Sequence, residues 1–186
     1  MRFGHVLVVG AGQMGGGIAQ VMAASGRRVS LHDASPGAVE RGLETMRKSL
    51  TRLAEKGGAD PDEVLAQVEP VADLVPADLM VEAVVEDAAV KEGVFRRADE
   101  VLPDEAVLAS NTSSIPIGSL AAATSRPDRV IGMHFFNPVP VLQLVESSAA
   151  ARPRTRPRRR SRSSHGSWAR RRPSRTTSRG SSRTGS

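Results

Sequence analysis

Three glycines that directly follow a short apolar run constrain the fold of this chain more than any other feature. Residues 5–10 read His-Val-Leu-Val-Val-Gly and predict a strand that is buried on both faces. The glycines Gly10, Gly12 and Gly15 have the spacing G-x-G-x-x-G and lead into a helical stretch over 16–25. A second strand is predicted over 28–32, so the pattern favours a βαβ unit of a parallel sheet.

Each glycine, and the acid after the second strand, has a physical task in such a unit. Gly10 permits the tight turn, Gly12 lets a pyrophosphate approach the backbone, and Gly15 lets the helix pack closely on the strand. The helix N-terminus adds free N–H groups and a partial positive charge. Asp33 can accept hydrogen bonds from ribose hydroxyls and would repel a 2′-phosphate. The sequence therefore predicts an NAD site. Two alternatives stay open: glycines that only shape a tight turn and bind no ligand, and an Asp33 carboxylate that only faces solvent.

Charge divides the chain into two unlike segments. The 186 residues include 26 basic and 20 acidic ones, with a net charge of +6 and a pI near 11. Residues 147–186 contain 13 arginines and no acid, so residues 1–146 are acidic overall and do not indicate nucleic-acid binding. The absence of cysteine fits a reducing, cytoplasmic location. No metal site is predicted, and the apolar runs are too short for a signal peptide or a membrane span.

Polar side chains are expected at the carboxyl ends of several parallel strands. Further strands are predicted over 79–85, 106–109 and 130–134, and helices over 36–66, with a break at 57–58, and over 90–101. Glu86, Ser113 and His134 lie at or just beyond the ends of these strands, as Asp33 does for the second strand. Ligands of open α/β sheets bind at this edge, so we expect the four residues to converge on one site.

Several blocks of sequence together resemble one enzyme family. They read GAGQMGGGIA over 10–19, VEAVVE over 81–86, SNTSSI over 110–115, HFFNPVP over 134–140 and LVE over 144–146. Over about residues 6–146 the chain is similar to the NAD-dependent 3-hydroxyacyl-CoA dehydrogenases. The resemblance implies an α/β domain with a Rossmann-like, doubly wound parallel sheet. It also implies oxidation of the 3-hydroxyl of an acyl-CoA in fatty acid or butyrate metabolism, with NAD accepting the hydride.

The resemblance implies a role for each residue of the catalytic end. His134 would be the general base that takes the hydroxyl proton, because the pKa of imidazole lies near the working pH. Glu146 would pair with His134 and orient its ring. Ser113 would hydrogen-bond the substrate oxygen, and Asn137 would hold the loop or polarise the substrate carbonyl.

The resemblance also implies contacts with the cofactor and with coenzyme A. Glu86 and Lys91 match positions that contact NAD, and Ser49, Lys56 and Ser113 match positions that contact the acyl-CoA. From the pattern alone, Ser49 and Lys56 on neighbouring turns of one predicted helix are equally consistent with a solvated face. An intact family member would be a homodimer, and neither a specific nucleic acid nor a membrane is expected as a partner.

The resemblance stops after Glu146. There the family continues Val-Val-x-Gly and later adds a helical domain, whereas this chain reads Ser-Ser-Ala-Ala. In a back-translation, one G added after the codon of Glu146 restores Val-Val-Arg-Gly. The same shifted frame converts residues 173–186 into a segment that contains the family block Asp-Phe-Pro-Gly-Phe.

We therefore expect an NAD-binding Rossmann domain over 1–146 and a disordered, frameshifted Arg/Ser-rich tail over 147–186. The last strands of the sheet are expected to be missing. Two functions stay open: a 3-hydroxyacyl-CoA dehydrogenase, in this form truncated and weakly active or inactive, and an inactive NAD-binding fragment of that enzyme. A third function, that of a basic interaction protein, is supported by the composition of the tail alone.

Overall fold

The computed structural model describes residues 3–142 and 145–149. Within them lie seven strands: β1 His5–Val9, β2 Arg28–His32, β3 Val68–Pro70, β4 Leu79–Glu82, β5 Val107–Ser110, β6 Val130–Phe135 and β7 Val145–Ala149. They form one sheet in the order β3-β2-β1-β4-β5-β6-β7, in which only β7 is antiparallel. β1 lies in the middle of the sheet. β2 and β3 extend it on one side, and β4 to β7 extend it on the other. This is the predicted Rossmann-like, doubly wound arrangement, and its order reverses between β1 and β4.

The helices of the described residues cover both faces of the sheet. They are α1 Gln13–Ala24, α2 Ala38–Ala54, α3 Pro61–Leu65, α4 Ala88–Val101 and α5 Ile117–Ala122, with a 3₁₀ turn at Pro127–Arg129. One core contains Val6 and Val8 of β1 together with residues of α1 and α2, and the other contains Leu7 and Val9. Alternate side chains of β1 therefore enter opposite cores, which confirms a strand buried on both faces.

Several element boundaries differ from the sequence prediction. β4 ends at Glu82 rather than at residue 85, and α2 ends at Ala54, so Lys56 is not on the helix that carries Ser49. β3 and α5 were not predicted, because three and six residues are too short to show a clear periodicity. No helix in the described ranges combines the length and hydropathy needed to cross a bilayer.

β7 corrects the expected end of the sheet. Residues 147–149 were expected to begin the tail, but they continue β7 and pair with β6, with Ser147 opposite Met133 and Ser148 opposite Gly132. The antiparallel ladder pairs the outer edge of β6, because strand pairing satisfies backbone groups whatever the side chains are. The expectation for residues 150–186 lies outside the described residues.

Candidate active site

The glycine turn is shaped by two close backbone approaches and one open position. Gly10 has a φ of +104°, and a Cβ there would lie 2.6 Å from the carbonyl oxygen of Ala83. A Cβ at Gly15 would lie 1.8 Å from the carbonyl oxygen of Gly10. A Cβ at Gly12 would meet no described atom within 4 Å. Gly10 and Gly15 are thus required by packing. The space beside Gly12 is open, and the approach of a pyrophosphate to its backbone stays a prediction.

The N-terminus of α1 lies beside a large cavity. Gly12 is the N-cap of α1, and in the part of the chain that the structure describes no side chain caps it and its first turn carries no acid. The cavity has a volume of about 550 Å³. We call it the nucleotide cavity, and its walls include Gly12, Gln13, Asp33, Arg41, Ser49 and Asn137. Uncapped N–H groups and the helix dipole make this end of the cavity suitable for phosphate groups.

Asp33 is fixed at the rim of the nucleotide cavity by two backbone hydrogen bonds. The N–H of Ala11 donates to its Oδ2 at 2.7 Å, and the N–H of Ser35 donates to its Oδ1 at 2.8 Å. Burial raises the pKa of Asp33, but the hydrogen bonds from Ala11 and Ser35 outweigh it, so the pKa lies below its usual value. The carboxylate stays charged and tied to the glycine turn. Arg41, which the sequence analysis did not select, lines the same cavity.

An ion cluster with a buried centre and one exposed carboxylate lies at the carboxyl end of β4. We give the name ion cluster to Glu82, Lys91 and Glu86. Glu82 is 0% exposed and Lys91 is 1% exposed, and Lys91 Nζ lies 2.6 Å from Glu82 Oε1. Lys91 Nζ also lies 3.2 Å from Glu86 Oε2 and 3.4 Å from the carbonyl oxygen of Val84. Lys91 Nζ thus donates two hydrogen bonds and forms ion pairs with both carboxylates. The cofactor contact that the resemblance implies for Lys91 stays a prediction.

Glu86 holds the loop that follows β5. Its Oε1 accepts hydrogen bonds from the Thr112 hydroxyl, from the N–H of Ser113 at 3.2 Å and from the Ser114 hydroxyl at 2.9 Å. Burial raises the pKa of Glu86, but the hydrogen bonds from Thr112, Ser114 and Lys91, with the charge of Lys91, lower it to about 2. Residues 111–114 form what we call the serine loop. An ionised Glu86 thus orders the loop that carries Ser113.

His134 and Ser113 line a second cavity, the histidine cleft, with a volume of about 490 Å³. Its walls are Thr112, Ser113, His134, Glu146, Ser147 and Ser148. The register of β6 and β7 places Glu146 directly opposite His134, and His134 Nδ1 lies 3.9 Å from Glu146 Oε2. The side chains are 34% and 71% exposed. The two residues are brought together, at a distance too long for a hydrogen bond.

The serine loop and the loop after β6 are both attached to their neighbours. Asn111 Oδ1 accepts a hydrogen bond from the N–H of Phe135 at 2.9 Å, which ties the serine loop to β6. Gln13 Nε2 donates to Asn137 Oδ1 at 3.2 Å, across the mouth of the nucleotide cavity. Asn137 therefore lies beside the glycine turn rather than in the histidine cleft.

The two residues matched to coenzyme A line two adjoining cavities, which share Gln20, Val139 and Pro140. Ser49 lines the nucleotide cavity, whereas Lys56 lines a third cavity of about 660 Å³. The walls of this third cavity include apolar side chains of Leu50, Leu53 and Phe135. The separation follows from the end of α2 at Ala54, which turns the chain away before Lys56.

Glu82 is the main functional candidate that the sequence analysis missed. The signal was an acid inside the apolar run over 79–85, because a carboxylate in a doubly covered strand needs a buried partner. Lys91 is that partner, nine residues later and on the inner face of α4. The pairing depends on how α4 packs against β4, which sequence spacing does not specify.

Comparison with known proteins agrees with this geometry. The family model of the 3-hydroxyacyl-CoA dehydrogenase NAD-binding domain matches residues 5–158. The probable 3-hydroxybutyryl-CoA dehydrogenase of Bacillus subtilis is 45% identical over 152 residues, covering 78% of this chain and 53% of that protein. The human mitochondrial hydroxyacyl-coenzyme A dehydrogenase is 41% identical over 154 residues, covering 76% of this chain and 49% of that protein.

A solved structure shows the same fold. The (S)-3-hydroxybutyryl-CoA dehydrogenase of Ralstonia eutropha superposes with a TM-score of 0.73 at 41% identity, over 78% of this chain and 53% of that one. This chain thus spans about half the length of the relatives it matches. The match covers the sheet, the glycine turn, the ion cluster and the histidine cleft, and we conclude that the chain belongs to the 3-hydroxyacyl-CoA dehydrogenase family through its NAD-binding domain.

Proposed function

We propose that this chain serves the NAD-dependent oxidation of the 3-hydroxyl of a 3-hydroxyacyl-CoA to the 3-oxoacyl-CoA. The observation that carries the proposal is that His134 and Ser113 line one cleft at the same sheet edge as the nucleotide cavity. Gly12 and the first turn of α1 would hold the pyrophosphate, and Asp33 would hold the adenosine ribose. When bound, NAD supplies the acceptor for the hydride that leaves C3 of the substrate.

His134 is proposed as the general base of this reaction. Its Nδ1 is the ring nitrogen near Glu146, so Nε2 is left to take the hydroxyl proton while the C3–H bond breaks and the C3–O bond becomes a double bond. The Ser113 hydroxyl would donate to the same oxygen and hold it next to the imidazole. Glu146 would favour the charged imidazolium that forms, as an acid near a catalytic histidine does.

The remaining matched residues have supporting parts in the proposal. Asn137, held by Gln13, would keep the loop after β6 against the glycine turn or polarise the thioester carbonyl. Glu86 and Lys91 would act on the cofactor side, and Ser49 and Lys56 would contact coenzyme A from two separate walls. A homodimer is proposed for the intact family member, without assignment of its surface on this chain.

A second candidate is a domain that binds NAD without turnover. It is favoured by the 3.9 Å separation of His134 and Glu146 and by the exposure of Glu146. Solvent screens an exposed pair, so Glu146 would hold the imidazole only weakly and His134 would be poorly oriented toward a substrate. The nucleotide cavity does not depend on this pair.

A paired assay separates the two candidates. The 186-residue chain is tested for acetoacetyl-CoA reduction at 340 nm and for NADH binding, with His134→Ala beside it. If His134 is the base, the variant should lose about 10²–10⁴-fold in turnover at unchanged NADH affinity. The matched control is His5→Ala, at the opposite end of the sheet, which should keep both properties.

The outcomes are distinct. Binding of NADH with no turnover in the unaltered chain would favour the second candidate. Equal turnover in the unaltered chain and in His134→Ala would refute His134 as the base. Failure of NADH to bind would remove both candidates.

A further inference from the structure

Glu82 is a buried acid for which the proposed reaction gives no role. It is 0% exposed at the last position of β4, and both of its carboxylate oxygens are engaged. Oε1 accepts from Lys91 Nζ at 2.6 Å and from the N–H of Val84 at 2.7 Å, and Oε2 accepts from the Ser110 hydroxyl at 2.6 Å. Burying a carboxylate is costly unless it is paired and hydrogen-bonded, so these contacts fix the position of Glu82 and of the groups that donate to it.

The contacts of Glu82 lead in two directions to the serine loop. On one side, the Ser110 hydroxyl that donates to Glu82 also accepts from the N–H of Thr112 at 3.2 Å. On the other side, Lys91 extends from Glu82 to Glu86, and Glu86 accepts from Thr112, Ser113 and Ser114. Both routes begin at one carboxylate and end at the backbone of the loop that carries Ser113.

Charge makes the route through Lys91 the stronger one. Lys91 is 1% exposed and lies between two carboxylates, so its position depends on both of them. Glu86 is 40% exposed, and the loop contacts on Oε1 leave Oε2 to be held by Lys91. Asp87, the N-cap of α4, accepts from the N–H of Val90 at 2.9 Å and fixes the backbone beside Glu86. The side chain of Glu86 is therefore oriented by Lys91, and Lys91 is anchored by Glu82.

We propose that Glu82 is a positioning residue: it anchors Lys91, which orients Glu86, which holds the serine loop so that Ser113 faces the histidine cleft. The inference deepens the proposed function and rests on it only for the part that Ser113 plays in the reaction. The hydrogen-bonded chain itself is a property of the free protein. It can be tested without cofactor or substrate.

The substitution Glu82→Gln tests the role of the charge. Glutamine has nearly the same shape, can accept from Lys91 and Val84 through its carbonyl oxygen, and can donate to Ser110 through its amide. It removes the negative charge that anchors Lys91. The control is Glu100→Gln, the same chemical change on the exposed side of α4, where Glu100 pairs only with the exposed Arg97 among the described residues.

The readout is the exchange of loop amide hydrogens with water, measured by NMR. In Glu82→Gln the N–H groups of Ser113 and Ser114 should exchange about tenfold faster, because their hydrogen bonds to Glu86 Oε1 would open more often. The amides of β1 should be unchanged, as should all amides in Glu100→Gln. Unchanged exchange at both serines in Glu82→Gln would overturn the proposal.

A double variant tests whether Glu82 acts through Glu86. With Glu86→Gln already present, Glu82→Gln should add less than about twofold, since effects on one connected chain are not additive. If the increases in exchange rate from the two substitutions multiplied in the double variant, Glu82 would act independently of Glu86, and this would contradict the proposal. If Glu82→Gln does not fold, Glu82→Asp keeps the charge and shortens the side chain. Its loop exchange should then rise by less than tenfold, and an unchanged loop would overturn the proposal.

The exchange experiment fails separately from the proposed function. If the loop responds but the unaltered chain binds no NADH, the positioning chain stands and the dehydrogenase assignment falls. If NADH binds and the loop exchange does not change, the proposed function stands and the positioning chain falls. In a chain that turns over, Glu82→Gln should lower kcat with little change in the KM for the acyl-CoA, because a misplaced Ser113 acts on the reacting oxygen.

Discussion

The carboxyl edge of the sheet has two sides that hold their polar groups by different means. On the nucleotide side, formed by β1, β2 and β4, Asp33 is held by backbone N–H groups and Glu82 is buried at 2.6 Å from Lys91. On the histidine side, formed by β6 and β7, His134 lies 3.9 Å from a Glu146 that is 71% exposed. The domain's own core therefore preorganises the nucleotide side. His134 is oriented by this long, exposed contact and by the ring of Phe136, whose centroid lies 5.0 Å from that of the imidazole.

The difference shows how burial decides what an acid–base pair does. Breaking a buried pair leaves an uncompensated charge in the interior, whereas an exposed pair contributes little because water and salt replace it. We therefore expect the buried Lys91–Glu82 pair to matter for stability, and the exposed His134–Glu146 pair to contribute little to it. Four sets of substitutions test this contrast.

The largest effect is expected from Lys91→Met. It leaves Glu82 buried without its cation, and we expect the free energy of unfolding to fall by about 3–5 kcal/mol. Lys48→Met is the matched control, because Lys48 pairs with Glu44 one turn away on the exposed face of α2. It should cost no more than about 0.5 kcal/mol. Urea unfolding measures both, and a loss below 1 kcal/mol in Lys91→Met would show that the ion cluster does not stabilise the fold.

The glycine turn should give the next effect. Gly15→Ala would place a Cβ 1.8 Å from the carbonyl oxygen of Gly10, so α1 must shift, at a cost of about 3 kcal/mol. Gly12→Ala meets no described atom within 4 Å and should cost at most about 1 kcal/mol, but it should weaken NADH binding. Thermal unfolding and NADH titration separate the two effects. Equal stability losses would contradict the assignment of Gly12 to ligand access.

Acid should weaken the nucleotide side through Glu86. Its pKa in the folded protein, about 2, lies below the ordinary value of 4.5, so its contribution to stability is complete above 4.5 and is lost as the pH falls toward 2. Glu86→Gln should therefore make the free energy of unfolding depend less on pH between 5 and 3. Urea unfolding at several pH values measures the slope. An unchanged slope would mean that the ionised Glu86 does not stabilise the serine loop.

The smallest effect on stability is expected at Glu146. Because Glu146 is exposed, Glu146→Gln should change the free energy of unfolding by less than about 1 kcal/mol. On the proposed function it should still lower turnover, since it removes the charge opposite His134. A large stability loss without a change in turnover would contradict this account, because Glu146 would then stabilise the fold and have no part in the reaction.

The nucleotide side was largely predictable from the sequence, because local backbone geometry specifies it. β2 has the predicted bounds, and the tasks of Gly10 and Gly15 follow from contacts within one βαβ unit. Glu82 was missed because its partner is set by the packing of α4, a contact between elements. The family resemblance, not the spacing, supplied the role of His134.

The histidine side was less predictable, because it depends on β7, whose side chains do not show the pattern of a strand. The run Val145–Ala149 has two serines and one glutamate, yet it pairs with β6 through its backbone. That register places Glu146 opposite His134. The resemblance implied the pair, but the 3.9 Å distance between His134 Nδ1 and Glu146 Oε2 does not follow from the sequence.

The claim that the nucleotide side is preorganised for NAD is tested most directly by calorimetric titration of the chain with NADH and with NADPH, beside Asp33→Ala. The charged Asp33 should make NADH bind more tightly than NADPH. Asp33→Ala should weaken NADH binding and reduce the preference for NADH over NADPH, because Arg41 then remains in the cavity to contact a 2′-phosphate. Tighter binding of NADPH by the unaltered chain, or no binding of NADH, would contradict the account.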